Sequence, residues 1–289
     1  MNEFEAYRPL LFAIAYRMLG SAMDAEDIVQ EAYVRYQAVA RGEVESPKAY
    51  LTTIVTRLAL NHLNSARVQR ETYLGPWLPE PVLSSESVMA PDPARLAADA
   101  DSISIAFLVL LENLTAAERA VFILREVFDF PYVEIAAILD KSEGACRKLF
   151  SRAKGYMAAN RPRFEPREEE HLRLLEQFIS ATAEGDVSGL TDLLAEEVTL
   201  WADGGGKARG AATRPVSGRE AVARLLIGVA ARFTPPDARV RIDTVNGRPA
   251  LLVYDAVNHP ALVVAVETGD GLIRKVWAMA NPDKLHGIA

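Results

Sequence analysis

The chain has 289 residues, half of them hydrophobic and a quarter charged, which predicts two or three domains with real cores and excludes a disordered polymer. One cysteine, Cys146, excludes a disulfide framework and a cysteine-rich zinc site, and no apolar stretch approaches the roughly 18 residues a membrane span needs. The net charge of -7 is unevenly placed: residues 141–163 carry 7 basic side chains against Glu143 alone, a local footprint suited to nucleic acid in an otherwise acidic protein.

From Phe4 to about Asn64, apolar residues recur at helical spacing, as in Leu10, Leu11, Ile14, Ala15 and Met18, then Ile28, Val29, Ala32, Tyr33 and Tyr36, so residues 1–70 read as a helical domain. Ser21 and Asp24 suit the start of its second helix, with Asp24, Glu26 and Asp27 in the first turn where the helix dipole favours acids. Ser46 and Pro47 open a long helix through about Arg70. Residues 71–101 are rich in proline and acids and lack a sustained period, which predicts an extended linker. A second helical set follows, with a domain over 102–163. Past Pro166 one or two helices run to about Leu194. Then come short apolar runs, Val198–Trp201, Arg239–Val245, Ala250–Val257, Ala261–Glu267 and Leu272–Ala278, broken by Gly, Pro, Asn and Asp. Residues 168–289 therefore read as an α+β domain, with most of the helix ahead of most of the sheet.

The clearest local mechanism lies in the second helical set. Thr115 and Glu118 form a capping box for a helix through Arg125. Pro131 opens a short helix, Tyr132 to Leu139, and Asp140-Lys141 breaks it. Ser142 caps the next helix, in which Cys146, Phe150 and Ala153 fall on the side facing Ile135, Ala136 and Leu139. Glu143, Arg147, Lys148, Ser151, Arg152 and Lys154 point outward. A short helix, a tight turn and a helix with a basic outer face make a helix-turn-helix, whose second helix enters the major groove. Arg147 and Lys148 lie where base edges are within reach, and Arg152 and Lys154 suit phosphates. A solvated basic helix on an ordinary bundle is the plain alternative. Cys146, on the inner face with no activating neighbour, reads as a structural thiol.

The stretch LTAAERAVFILREVFDFPYVEIAAILDKSEGACRKLFSRAK resembles region 4 of extracytoplasmic-function sigma factors of RNA polymerase, and DAEDIVQEAYVRY, residues 24–36, resembles their region 2. The resemblance implies two all-α domains that bind the polymerase core and promoter DNA, region 2 reading and melting the -10 element and region 4 reading the -35 element. It places Ser142, Glu143, Arg147, Lys148, Ser151, Arg152 and Lys154 at the -35 element. It places Asp24, Asp27, Gln30 and Glu31 against the β′ coiled coil of the polymerase, with the β flap a further contact. Arg41 to Ser46 corresponds to the -10 specificity loop, so that Arg41 and Glu43, with Arg57, Asn61, Asn64 and Arg67 on the helix behind, are the expected -10 residues; a base captured there must leave the stack, at a cost of a few kcal/mol. Two departures stand out. The helix end NHLNSARVQR is less basic than the family pattern, and Leu149 stands where many members place a basic residue.

The region past 168 resembles the SnoaL-like branch of the NTF2-like fold, a cone-shaped α+β domain, as carried by a SigJ-like subgroup of these factors. Three signatures of the subgroup are present: Trp77-Leu78-Pro79-Glu80-Pro81, Asp203-Gly204-Gly205-Gly206-Lys207 and Asn281-Pro282-Asp283-Lys284-Leu285. The resemblance implies control in cis by this domain, no cofactor, no metal and no catalytic residues. Consecutive glycines allow close backbone approach and positive φ, and a stiff segment with Trp77 suits an interface anchor, so the linker is expected to dock near the other two signatures. Two alternatives remain open. Asp203, Asp255 and His259 would serve a SnoaL-like domain that senses or turns over a small molecule in its pocket, and a helix-turn-helix repressor with a ligand domain is the other reading. A cytoplasmic location, away from the membrane, is expected.

Overall fold

The computed structural model describes residues 3–39, 44–71, 73–84, 102–160 and 167–288, the side chains of 66–71 excepted. They divide into two compact units. Nearly all of the helices before residue 161 belong to the first, while segment 73–84 and the residues from 167 onward belong to the second.

The first unit begins with α1 (Glu3–Leu19), α2 (Ala22–Gln37) and α3 (Pro47–Glu71). Gly20, at φ 67°, ends α1 by donating its N–H to the Tyr16 carbonyl, and the Ser21 hydroxyl caps α2 by accepting from the Asp24 N–H at 3.1 Å. This glycine stop followed at once by a serine start turns the chain within two residues. Leu11, Ile14, Ala15, Met18, Ile28, Val29, Ala32, Leu51, Val55 and Ala59 form the buried seam of the three helices.

The same unit continues with α4 (Ile105–Leu111), α5 (Ala116–Phe122), α6 (Tyr132–Leu139) and α7 (Glu143–Asn160). The Thr115/Glu118 capping box is complete. The helix it opens does not continue as α-helix to Arg125: over Ile123–Val127 it widens into a π-helix, the Phe128 N–H reaching the Ile123 carbonyl at 3.2 Å. Five residues are too few for an apolar period to distinguish the two windings. Asp140 ends α6 in the left-handed conformation at φ 52°, and the Ser142 hydroxyl accepts from the Ala145 N–H to start α7. Cys146, Ala153 and Met157 are buried, and Phe150 packs against Phe122 and Tyr132.

The second unit carries α8 (Glu168–Glu184), α9 (Val187–Leu193) and α10 (Arg219–Phe233) on one face of a six-stranded sheet. Its strands are β1 (Leu194–Asp203), β2 (Val216–Ser217), β3 (Arg239–Val245), β4 (Arg248–Tyr254), β5 (Pro260–Gly269) and β6 (Leu272–Met279), in the order β2-β1-β6-β5-β4-β3. β1 and β6 run parallel and every other pair is antiparallel. Asn246-Gly247 and Asp270-Gly271, all at positive φ, make the two tight hairpins, the conformation such turns require. The unit is α+β, but α10 lies amid the strands, and the run beginning at Ala250 leaves the strand at Tyr254 to form a turn through Asn258.

Leu175, Phe178, Val198, Leu200, Val222, Leu251, Val253, Val264, Val266 and Val276 fill the space between the helices and the sheet. His171 of α8 is also buried there, its Nδ1 3.2 Å from the Thr268 hydroxyl and its Nε2 3.1 Å from the Pro249 carbonyl. A carbonyl only accepts, so Nε2 carries the proton and Nδ1 accepts from Thr268. Burial holds the imidazole pKa below its ordinary value, with Arg248 adding to the effect and the Pro249 bond opposing it. A folded-state pKa below the unfolded one, about 6.5, means that the unfolded chain binds the extra proton first. His171 therefore contributes stability that is complete above about pH 6.5 and is lost as pH falls below it. Urea midpoints of wild type between pH 7.5 and 5 are expected to fall more steeply than those of His171→Leu, which starts lower at pH 7.5; parallel curves would contradict the assignment.

Candidate nucleic-acid interface and linker-docking site

On α7 the expected DNA-facing residues Ser142, Glu143, Arg147, Lys148, Ser151, Arg152 and Lys154 are all exposed. Arg147 stacks over the Tyr132 ring at 4.3 Å and pairs with Glu143 at 3.4 Å. Arg152 pairs with Glu118 at 3.2 Å, and Lys154 reaches Glu126 at 3.1 Å. The Glu118 that closes the capping box thus also holds α7, and the acids temper a surface whose sequence reads as strongly basic. Exposed pairs of this kind are worth about 0–1 kcal/mol, little enough for a phosphate to replace them.

In the N-terminal helices, Asp27, Gln30 and Glu31 face solvent on α2, with Glu31 paired to Arg35 at 2.9 Å. Asp24 turns toward His62 of α3, 3.4 Å away. The same outer stripe carries Met23 and Val34, respectively 57% and 60% exposed. Both are apolar and so stand apart from the polar residues expected to face the polymerase, although their i, i+4 and i+11 placement from Met23 through Asp27 to Val34 is present in the sequence. Asn61 and Asn64 are exposed on α3. Arg57, on the same helix, donates from Nε to the Ile138 carbonyl at 2.9 Å and from its terminal nitrogen to the Ala137 carbonyl at 3.1 Å. Arg41, Glu43 and the side chain of Arg67 lie outside the described residues.

The three short signatures meet in the second unit around one carboxylate. Asp203, at the end of β1, is fully buried. Its Oδ2 accepts from the Leu78 N–H at 2.8 Å and from Lys284 Nζ at 2.7 Å, and its Oδ1 accepts from the Tyr73 hydroxyl and from the Gly205 N–H at 3.2 Å. Lys284 also donates to the Leu78 carbonyl at 2.6 Å and lies 3.9 Å from the centre of the Trp77 ring. Leu78 is therefore held by both its backbone groups. Asn281 donates to the Tyr73 oxygen at 2.9 Å, and its own N–H, with that of Ala280, binds the Asp203 carbonyl. Burial, and then the Asp203 carboxylate, push the Tyr73 phenol above its ordinary pKa, so it stays a donor at any physiological pH. An exposed pair, Lys207 with Asp283, joins the same two segments a second time.

The glycines explain themselves in this setting. A side chain at Gly204 would place its Cβ 2.5 Å from that of Ala211, one at Gly205 would collide with the Asn281 amide, and one at Gly206 would press on Leu74. Gly205 and Gly206 also adopt positive φ, 56° and 73°. Further along, the Val82 N–H donates to the Asn246 side chain at 3.0 Å, the Asn246 N–H to the Val82 carbonyl at 2.9 Å, and the Ser84 N–H to the Thr244 carbonyl at 2.9 Å, with Leu83 bridging Val245. Leu78, Pro79, Glu80, Pro81 and Leu285 are buried, Trp77 partly so, and Pro282 opens the short turn that carries Lys284. Tyr73 and Asn246 were not among the residues picked out from the sequence. Asn246 reads there only as an Asn-Gly turn, and nothing local marks Tyr73.

Asp255 and His259 belong elsewhere. Asp255 Oδ1 accepts from the Val257 and His259 N–H groups and so builds the turn after β4. Two strands, β6 and β5, lie between β1 and β4, which sets the strand carrying Asp203 about 14 Å from the one leading to Asp255. Among the described residues no group of three or more His, Cys, Asp or Glu side chains is placed to hold a metal, and no helix is long and apolar enough to cross a membrane.

A family model of sigma-70 region 2 matches residues 4–68, and one of sigma-70 region 4 matches residues 104–157. The ECF RNA polymerase sigma factor SigJ of Mycobacterium tuberculosis is 36% identical over 298 aligned positions, which cover 99% of this chain and 93% of the relative. The chain belongs to the extracytoplasmic-function sigma factors. A probable member, SigI of the same organism, is 30% identical over 98% of this chain and 93% of its own length. The crystal structure of the M. tuberculosis SigJ superposes with a TM-score of 0.77 at 35% identity, covering 99% of this chain and 98% of the other. As a sigma factor, this protein binds the RNA polymerase core and directs promoter-specific initiation, with α1–α3 as region 2 and α4–α7 as region 4.

The linker site of this sigma factor is expected to respond to single changes at its buried ion pair. Removing one partner of a buried ion pair costs about 3–5 kcal/mol because the other charge is left stranded. Asp203→Asn keeps the volume and one acceptor oxygen for Leu78 and Lys284, but its NH2 cannot accept from Tyr73 and Gly205, and the buried Lys284 loses its counter-charge. The substitution is expected to raise amide hydrogen exchange in residues 76–84 at least tenfold, while Lys207→Ala, at an exposed pair, changes exchange less than twofold; equal effects would show that Asp203 does not hold the linker.

Proposed function

We propose that the C-terminal domain controls this sigma factor in cis, and that the arrangement described is its closed form. The observation that carries the reading is the pair of hydrogen bonds from Arg57 of region 2 to the Ala137 and Ile138 carbonyls of region 4. Arg119 supports it by donating to the Met18 carbonyl at 2.6 Å, as does Arg17, whose buried guanidinium binds the Ser102 hydroxyl at 2.8 Å. A unit of this size is about 40 Å across. The -10 and -35 elements are some 25 base pairs apart, about 85 Å along B-form DNA at about 3.4 Å per base pair. The two regions must therefore separate before both can engage a promoter.

The linker gives the C-terminal domain a means of governing that separation. Docking of residues 73–84 takes them out of the tether between regions 2 and 4, and the 17 residues from 85 to 101 span at most about 60 Å. In the open form, Ser142, Glu143, Arg147, Lys148, Ser151, Arg152 and Lys154 meet the -35 element, and Arg41, Glu43, Arg57, Asn61, Asn64 and Arg67 the -10 element. The outer stripe of α2, Asp27, Gln30 and Glu31 with Met23 and Val34, takes the polymerase β′ coiled coil, and the β flap takes region 4. Arg57 then has two exclusive occupations, region 4 in the closed form and promoter DNA in the open one. The small-molecule reading has less support, since the space between helices and sheet is filled by apolar side chains.

The test is a distance. With dyes on the exposed positions Gln37 and Ala159, energy transfer in the free chain is expected to be high, to fall on addition of core polymerase, and to fall partly in free Arg57→Ala. A distance unaltered by the polymerase would overturn the closed-form reading, and one unaltered by Arg57→Ala would remove Arg57 from it.

A further inference from the structure

The recognition helix α7 contains two glycines, Gly144 and Gly155. Neither has the positive φ that would call for glycine. A Cβ built on either meets no atom within 4 Å, and both positions are exposed. The fold therefore has no need of glycine at either place, and each costs the helix stability relative to alanine. At eleven residues apart and about 100° per residue they share one face of the helix, but they differ in depth. Gly144 is in the first turn, on the same stripe as Lys148 and Ser151, at the end that enters the major groove. Gly155 lies about 16 Å further along the axis, away from the groove.

We propose that Gly144 is a clearance position for the -35 duplex: its missing side chain lets the DNA close onto the backbone of the first turn of α7. Ser142 already takes two amides of that turn, its hydroxyl accepting from Ala145 and its carbonyl from Cys146. The N–H groups of Glu143 and Gly144 are left for the DNA side, where a phosphate oxygen or a base edge can reach them only if nothing projects from residue 144. The position thus sets how deeply the helix seats, and through that whether Arg147 and Lys148 reach base edges.

The experiment compares Gly144→Ala with Gly155→Ala in the full chain. The probe is a duplex enriched by the wild-type chain with core polymerase from a library randomised across the -35 region. Both variants are expected to raise the unfolding midpoint of the free chain by about 2–4 °C. In the holoenzyme, Gly144→Ala is expected to weaken binding of the duplex tenfold or more and Gly155→Ala less than twofold. A merely structural role would move stability and binding together, whereas clearance moves them in opposite directions. Binding by Gly144→Ala within twofold of wild type, equal losses in the two variants, or a fall in stability of Gly144→Ala would each overturn the proposal.

Discussion

A carboxylate with no access to water must have its acceptor sites filled, and Asp203 fills them from three separate parts of the chain: Tyr73 and Leu78 of the linker, Lys284 of the tail and Gly205 of its own loop. Much else in the second unit follows from that requirement. The loop after Asp203 must leave room for Asn281 and Leu74, which accounts for Gly205 and Gly206. The tail must bring an ammonium under the linker, and the short turn opened by Asn281 and Pro282 does so. Lys284 is in turn covered by Trp77 and Tyr73, whose ring faces favour a cation that water no longer solvates. The acid, the base and the aromatics are mutually dependent, so the linker is part of the second unit's interior.

Polar groups also join the halves of the first unit, with different strength. Arg119 is buried and satisfies both the Met18 carbonyl and Glu112, whereas Arg57 is exposed and binds carbonyls at the end of α6, where the helix dipole leaves partial negative charge. Water can replace Arg57 at those carbonyls, while withdrawal of Arg119 would strand Glu112. The exposed bridge is thus the readily exchanged one.

The helix-turn-helix was legible because its signals are local: the Thr115/Glu118 box, the stop at Asp140 and the cap at Ser142 each lie within four residues of what they determine. The turn dipeptides Asn246-Gly247 and Asp270-Gly271 are local too, each lying between two of the apolar runs that read as strands. What escaped was either too short or too distant. The π-turn at Ile123–Val127 occupies five residues, and β2 only two. Helix α10 is rich in alanine and opens with Glu220, a signal that was present but lay between strand-like runs. The geometry at Asp203 depends on partners 125 and 81 residues away. The signatures named the participants, but no spacing reveals which atom of Asp203 meets which donor, or that Tyr73 and Asn246 complete the arrangement.

The exchange of hydrogen bonds between Val82 and Asn246 has a consequence for how this chain can vary. Leu78 is gripped at one end of the sheet domain and Val82 at the β3–β4 hairpin, and both grips act on main-chain groups. The side chains between them, of Pro79, Glu80 and Pro81, are buried, and the number of residues is constrained as well. An insertion or deletion among residues 79–81 would throw one attachment out of register while the other held. The segment behaves as a strap of fixed length, and its proline content matters for the distance it measures more than for any surface it presents.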